Sequence, residues 1–261
     1  MPSTRRSCSA DFRKGMIEKR LRRVRSIILI LSGKGGVGKS VISAALAEIL
    51  AQAGLKVGLL DADVYGPSSA LIFGVHDFPK EKANGLVPPS RSGVKLMSVD
   101  LFASGRPVPI TGLATVQVLT EVLALTDWGE LDYLLVDMPP STGDIMMFLT
   151  SLEKRKTSAL VVSMPDRLST GVASRVLTLL RSERFRVIGI LGNMVRKAPS
   201  LSEGASSLET LASASRAPLL GVLPFDEGAA AAVERGDIDG LVRTRFSAQL
   251  RRSVKRHIDQ S

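Results

Sequence analysis

The stretch Gly33-Lys34-Gly35-Gly36-Val37-Gly38-Lys39-Ser40 decides the fold. It satisfies the pattern G-x-x-x-x-G-K-[ST], follows a predicted strand at residues 26–32 and precedes a predicted helix at 41–52. In that setting the glycines let backbone N–H groups wrap phosphates, and the helix N-terminus adds its positive end. Lys39 is expected to reach the β- and γ-phosphates, and Ser40 is expected to hold Mg²⁺. The sequence therefore predicts a nucleotide-phosphate site.

The rest of the chain alternates short apolar runs with helical patterns. Strands are predicted at residues 57–60, 94–99, 133–136, 159–163, 187–191 and 219–222, and helices at 18–25 and 111–126. Such strands are typical of a parallel sheet that is covered on both faces. Residues 79–93 are rich in Pro, Gly and charge and are predicted to be a surface loop. The predicted fold class is α/β, a doubly wound, mostly parallel sheet.

Acidic residues end two of these strands. Asp61 and Asp63 follow the apolar run that begins about twenty residues beyond the loop, and Asp137 ends the run Leu134-Leu135-Val136. In an open parallel sheet, ligands bind at the carboxyl ends of the strands. We therefore expect these carboxylates beside the loop, with Asp137 holding a water on Mg²⁺.

Composition excludes several classes of protein. The 261 residues are 44% apolar and contain one cysteine, Cys8, which rules out an intramolecular disulfide scaffold. Cys8, His76 and His257 are too few for the usual zinc or iron–sulfur ligand sets within one chain. No apolar run reaches the roughly 18 residues of a membrane span, and the N-terminus lacks an apolar signal core. We expect a cytoplasmic protein.

Lys34 turns the loop into K-G-G-x-G-K-S, which resembles the deviant Walker A motif of MinD/ParA-type ATPases. The chain is similar to the Mrp/Nbp35 subgroup over nearly its whole length. The matching runs are residues 32–40, 57–68, 93–98, 128–134, 137–140 and 192–194. The run Tyr65-Gly66-Pro67-Ser68 after the two acids is specific to this subgroup. The resemblance implies a P-loop ATPase of the MinD/Mrp type that uses ATP and Mg²⁺.

The resemblance also implies roles for individual residues. Lys34 crosses a homodimer interface to the partner's nucleotide, Lys39 binds phosphate, and Asp63 positions the attacking water, so these three form the catalytic set. Ser40, Asp61 and Asp137 organise Mg²⁺. Asn193 recognises adenine, although a strand-end cap is the alternative, and Pro224 lines the base. The full nucleotide-binding set is Gly33, Lys34, Gly35, Gly36, Val37, Gly38, Lys39, Ser40, Val41, Asn193 and Pro224.

The sequence departs from the family pattern at two places, and the first bears on whether it handles an iron–sulfur cluster or nickel. Iron–sulfur carriers of this family place a C-x-x-C pair after the Asn-Met strand, whereas residues 195–200 here contain no cysteine. Ser141 replaces the first glycine of the family's D-x-P-P-G-x-G-D switch, which favours a stiffer switch. Residues 85–89 and Arg106-Pro107 resemble archaeal ATPases that help insert nickel during [NiFe]-hydrogenase maturation. The resemblance therefore favours nickel insertion over iron–sulfur transfer.

The positive charge lies at the two ends. Residues 1–26 carry +7, residues 240–261 carry +5, and the middle carries −2. We expect a basic arm at 1–25, a P-loop ATPase domain at 26–239 and a basic amphipathic helix at 240–261. The ends are either solvated surface helices or contacts for an acidic partner. The apolar stripe of the last helix either packs on the body or contacts a membrane peripherally.

The leading hypothesis is a Mg²⁺-dependent ATPase in metallocofactor assembly. It would work as an ATP-switched homodimer with a metallochaperone or maturation protein as partner, without nucleic acid. The alternative is a ParA/MinD-like positioning ATPase whose basic ends bind DNA or membrane. Salt-sensitive, ATP-dependent binding to DNA or liposomes distinguishes the two.

Overall fold

A mostly parallel sheet forms the centre of the molecule. The computed structural model describes residues 4–103, 113–140, 148–149, 152–195 and 201–258. The strands are β1 (Val24–Ser32), β2 (Val57–Asp61), β3 (Lys80–Lys82), β4 (Gly85–Val87), β5 (Ser90–Arg91), β6 (Val94–Ser98), β7 (Leu131–Asp137), β8 (Thr157–Ser163), β9 (Arg186–Val195) and β10 (Leu219–Pro224). The large sheet has the order β10-β9-β8-β1-β7-β2-β6-β5, and β5 is its antiparallel strand. The predicted α/β class is confirmed.

Helices cover both faces of this sheet. They are α1 (Thr4–Leu21), α2 (Lys39–Gln52), α3 (Ser69–Phe73), α4 (Asp100–Ala103), α5 (Leu113–Leu125), α6 (Arg167–Ser182), α7 (Leu201–Ser215), α8 (Glu227–Glu234), α9 (Ile238–Val242) and α10 (Arg245–Ile258). Alternation along β1 assigns its side chains to two cores. Ile28 and Ile30 pack with α2, α3 and α8–α10, whereas Ile27 and Leu29 pack with α1, α5, α6 and α7. No helix in the described part of the chain is long and apolar enough to cross a membrane.

The N-terminal segment differs from the prediction of a short helix at 18–25. Helix α1 spans Thr4–Leu21, and β1 already begins at Val24. Ile17 and Leu21 are buried in the core between α1 and the sheet. Arg13 also forms an ion pair of 2.9 Å with Glu121 of α5. The helix runs longer because its apolar positions pack against α5, which the charge pattern alone did not indicate.

The predicted loop at 79–93 is partly wrong. It contains the antiparallel pair β3–β4 and the short strand β5. Gly85 adopts φ +126°, a conformation that favours glycine, and starts β4. The amide of Asp127 then donates to the carbonyl of Leu86 at 2.7 Å, which joins this pair to the end of α5. Tertiary hydrogen bonds thus give strand structure to a turn-rich sequence.

The C-terminal basic segment forms α9 and α10. The apolar side chains Phe246, Leu250 and Val254 of α10 are buried in the core that includes α2. Of the two expectations for this stripe, the structure shows the packed one. The division of the chain at residues 25 and 239 remains a prediction.

Candidate functional site

The phosphate-binding loop lies where β1 ends and α2 begins. Gly36 and Gly38 have φ values of +79° and +82°, which L side chains rarely adopt. Gly33 faces the backbone of α6, so a Cβ there would lie 2.6 Å from the carbonyl carbon of Val172. The glycines are therefore needed for the turn and for close packing. The amides at the start of α2 complete the anion-binding geometry.

A cavity of about 640 Å³ opens over this loop. Its lining joins Lys34–Val41 to Asp63 from the segment after β2, to Pro140 after β7, and to Val233–Gly236 at the end of α8. Leu71 and His76 also line it. This volume is within the range of nucleotide-sized ligands. The structure thus brings Lys34, Lys39, Ser40, Val41 and Asp63 to one cavity.

Lys39 and Asp137 form a buried ion pair beneath the loop. Lys39 Nζ lies 2.6 Å from Asp137 Oδ1, and both side chains are almost fully buried. Ser43 Oγ donates to the same carboxylate oxygen at 2.8 Å, and Lys39 Nζ also lies 3.4 Å from Ser40 Oγ. The other oxygen, Asp137 Oδ2, is buried without a hydrogen-bond partner. Such a pair needs further polar partners to offset its desolvation.

Asp61 lies beside Asp137 because β2 and β7 are neighbours and these two residues are register partners. Its carboxylate accepts from the amides of Asp63, Ser68 and Ser69 at 2.8–3.1 Å. Burial, and then the negative charge of Asp137, raise the pKa of Asp61 to about 7, although the amides and Lys39 oppose the shift. Two buried carboxylates thus share one cation, Lys39.

Asp63 and Lys34 are placed differently from these buried groups. Asp63 is partly exposed, and its Oδ1 accepts from the amide of Gly66 at 3.2 Å. Lys34 is exposed at the mouth of the cavity. Burial raises the pKa of Asp166, but hydrogen bonds from Ser169 and the charge of Lys34 outweigh it and lower that pKa. Lys34 therefore presents its charge outward, between the loop and the start of α6.

Asn193 and Pro224 line a smaller cleft of about 260 Å³. Asn193 Nδ2 donates to the carbonyl of Val37 at 2.7 Å, and a Cβ on Gly38 would lie 2.3 Å from that nitrogen. The walls are mainly apolar and include Phe225. Asn193 is thus a brace of the phosphate-binding loop and also part of a slot that suits a flat base.

The residues fit a Mg²⁺ site shared with phosphates. Hydroxyl and carboxylate oxygens are the ligands that this ion prefers, and Ser40, Asp61 and Asp137 supply them. The unpartnered buried Asp137 Oδ2 is the observation that supports the fit. The described residues hold no cluster of three or more His, Cys, Asp or Glu for an all-protein cage, so waters and phosphates must complete the shell.

Some functional positions were missed or lie outside the described residues. Ser43 was missed, although its spacing of four residues from Lys39 puts both on one helix face. Val233–Gly236 also line the cavity, because the tertiary fold brings the end of α8 next to the phosphate-binding loop. No motif in the sequence around these residues predicts this position. Ser141 and Arg106 lie outside the described residues, as do residues 196–200.

The fold and the loop define a P-loop NTPase. A family model described as "ParA: NUBPL iron-transfer P-loop NTPase" matches residues 23–258. The chain therefore belongs to this ParA/NUBPL family, whose members hydrolyse ATP.

Three curated relatives share one name. An iron-sulfur cluster carrier protein of Aquifex aeolicus is 34% identical over 229 residues, which cover 84% of this chain and 63% of the relative. Proteins of the same name from Mycobacterium tuberculosis and Rickettsia conorii are 35% and 38% identical, over 80% and 66% of this chain and 58% and 54% of theirs. The chain thus spans somewhat more than half the length of these relatives.

Solved structures share the fold. One is a nucleotide-binding protein of Archaeoglobus fulgidus in complex with ADP, in which cobalt was found. It superposes with a TM-score of 0.72 at 31% identity, over 87% of this chain and 92% of that one. MinD of Pyrococcus horikoshii, complexed with Mg-ADP, has a TM-score of 0.65 at 20% identity, over 88% of this chain and 95% of that one. The second match shows the fold alone.

Proposed function

We propose that this chain is a Mg²⁺-dependent ATPase that works as an ATP-switched homodimer in metallocofactor assembly. One observation carries the proposal. Lys39, Asp137 and Asp61 form a buried charged cluster directly under a glycine-rich loop that lines a nucleotide-sized cavity. A buried carboxylate with a perturbed pKa beside such a cavity, as Asp61 has, is typical of a reaction centre.

ATP binding would exchange the partner of Lys39. In this structure the ammonium group pairs with Asp137. A triphosphate in the loop would draw Lys39 to its β- and γ-oxygens, and the loop amides would hold the remaining charge. Asp137, released from Lys39, would then face the Mg²⁺ shell together with Asp61 and Ser40. The ion, when bound, neutralises charge that develops on the phosphates.

Asp63 and Lys34 would complete the reaction. Asp63 is partly exposed and lines the same cavity, so its carboxylate can orient a water for in-line attack on the γ-phosphate. Lys34 is exposed at the mouth, where it can reach the nucleotide of a second copy and act as an arginine finger does. Asn193 and Pro224 would hold the adenine. Dimerisation would therefore complete each active site.

We propose an iron–sulfur cluster as the cargo, since the curated relatives bear that name. The chain would act on a cluster held by a partner, because Cys8 is its one cysteine and two copies supply too few thiolates for the usual four ligands. That same shortage favours nickel insertion as the second candidate. The relatives' names do not support the positioning role, and the buried stripe of α10 removes the expected route to a membrane.

A co-purification experiment tests this function. Asp63→Ala protein held in its ATP state should retain its partners, since hydrolysis is blocked while nucleotide binding is kept. Cluster-assembly proteins with iron in the same sample would support the proposal, and nickel with hydrogenase-maturation proteins would select the second candidate. Lys39→Ala is the matched control and should lose those partners. Recovery of nucleoid DNA or membrane without a metalloprotein would contradict both.

A further inference from the structure

The amino-terminal edge of the sheet lies opposite the nucleotide cavity and is strongly positive. Because β9, β8 and β1 are adjacent and parallel, the residues at their amino ends lie side by side. We call the charged residues of segments 22–25, 153–156 and 183–186 the basic edge. It holds eight Lys or Arg and two Glu, whereas residues 27–239 as a whole carry −2. The topology thus concentrates positive charge that is spread along the sequence.

The acids nearby neutralise only part of this charge. Glu183 pairs with Lys154 at 3.3 Å, Glu153 with Lys156 at 3.8 Å, and Glu130, just before β7, with Arg23 at 2.8 Å. Across the described residues, the exposed side chains of Arg22, Arg155 and Arg186 form no ion pair with a carboxylate. Arg184 is likewise exposed and without an ion pair among the described residues, so four guanidinium groups remain for an external anion.

Two clefts flank the basic edge and give it shape. One of about 410 Å³ is lined by Arg23, Lys56, Lys95 and Glu130, which pairs with Arg23 and Lys56, and one of about 390 Å³ is lined by Lys19, Arg20, Arg22, Arg23 and Asp127 among others. Arginine predominates on the edge, and its planar fork binds carboxylates through two parallel hydrogen bonds. The second recess, with three guanidinium groups against the one carboxylate of Asp127, suits acidic side chains that project from a partner.

We propose that the basic edge docks an Asp/Glu-rich segment of a partner protein. Single-stranded nucleic acid is less suited, because its bases need aromatic side chains to stack on, and Phe185, the aromatic residue within the three segments, is buried. A membrane surface is less suited, because the large exposed apolar side chains of the described residues lie outside these segments.

The position of the basic edge sets its relation to the ATPase site. The cavity lies at the carboxyl ends of the strands, and the basic edge lies at their amino ends. Docking there should therefore be the same with ADP, with a non-hydrolysable ATP analogue or without nucleotide. This separates the edge from the ATP-dependent contacts of the proposed function, so either proposal can fail without the other.

Fluorescence anisotropy with a labelled Asp/Glu-rich peptide tests the proposal. The triple variant Arg22→Gln, Arg155→Gln and Arg186→Gln should bind about five- to tenfold more weakly than the wild type, because each exposed pair contributes modestly. The matched control changes Arg175, Arg243 and Arg245 to Gln, which removes the same charge from exposed positions away from the edge. It should bind within about twofold of the wild type. Binding should weaken with salt and not change with nucleotide.

Three outcomes would overturn the proposal. The first is no peptide binding by the wild type at low salt. The second is an equal loss in the two triple variants, which would mean that net charge alone acts. The third is tighter binding of duplex DNA or of phosphatidylserine vesicles that the edge triple weakens and the control does not, which would assign the edge to that partner.

Discussion

The two edges of the central sheet use charge in opposite ways. At the carboxyl edge, Lys39, Asp61 and Asp137 are buried, and the pKa of Asp61 is raised to about 7, first by burial. At the amino edge, Glu130 is exposed, and hydrogen bonds from Arg23 and Lys56 lower its pKa to about 2. Buried charges interact strongly because little water screens them, whereas water weakens the interactions between exposed charges. Removing charge should therefore have large effects at the first edge and small effects at the second.

The largest effect is expected for Lys39→Ala. It removes the one ammonium between two buried carboxylates and the group that would bind the β- and γ-phosphates. Nucleotide binding should be abolished, and unfolding free energy should fall by about 3–5 kcal/mol because Asp137 loses its partner. Titration calorimetry and urea unfolding measure the two effects. Tight ATP binding by a folded Lys39→Ala protein would refute the loop assignment.

Lys34→Ala should separate binding from turnover. The side chain is exposed, so stability should not change, and the nucleotide should still bind to the loop of the same chain. If Lys34 stabilises charge on the partner's γ-phosphate, hydrolysis should fall about a thousandfold or more, and ATP-driven dimerisation should be lost. Single-turnover hydrolysis and light scattering provide the readouts. Normal turnover would remove the cross-dimer role.

Gly38→Ala should have an intermediate effect on stability. A Cβ there would lie 2.3 Å from Asn193 Nδ2, and φ is +82°. The variant should lose about 1–3 kcal/mol, because Asn193 must leave the carbonyl of Val37 and the backbone is strained. Gly35→Ala is the matched control, since nothing lies within 4 Å of its Cβ and no positive φ is required. Equal unfolding midpoints for the two variants would contradict this account of the loop.

Glu130→Gln at the amino edge should have the smallest effect. The ion pairs with Arg23 and Lys56 are exposed, with 2.8 Å and 3.1 Å separations. Exposed pairs are screened, so Tm should change by less than about 2 °C. Differential scanning calorimetry in low and high salt checks this. A larger loss would mean that the amino edge, like the carboxyl edge, depends on coupled charges.

The carboxyl edge could largely be predicted from the sequence, and the amino edge could not. The loop motif is local, and Asp61 and Asp137 end apolar runs whose carboxyl ends a parallel sheet brings together. Ser43 and the brace from Asn193 to Val37 depend on side-chain packing across the fold, which spacing does not specify. The basic edge depends on strand order, because segments 22–25 and 183–186 meet only through β8.

Mixing two inactive variants tests the central claim, that each ATP site is completed by Lys34 of a second copy. A dimer of Lys34→Ala with Asp63→Ala would contain one site with both groups intact, Asp63 from one copy and Lys34 from the other. The mixture should therefore regain up to about a quarter of the wild-type ATPase rate, the value for random pairing, because each mixed dimer has one working site; weaker pairing of the Lys34→Ala copy lowers this yield. Rates no higher than the sum of the two separate variants would contradict the account.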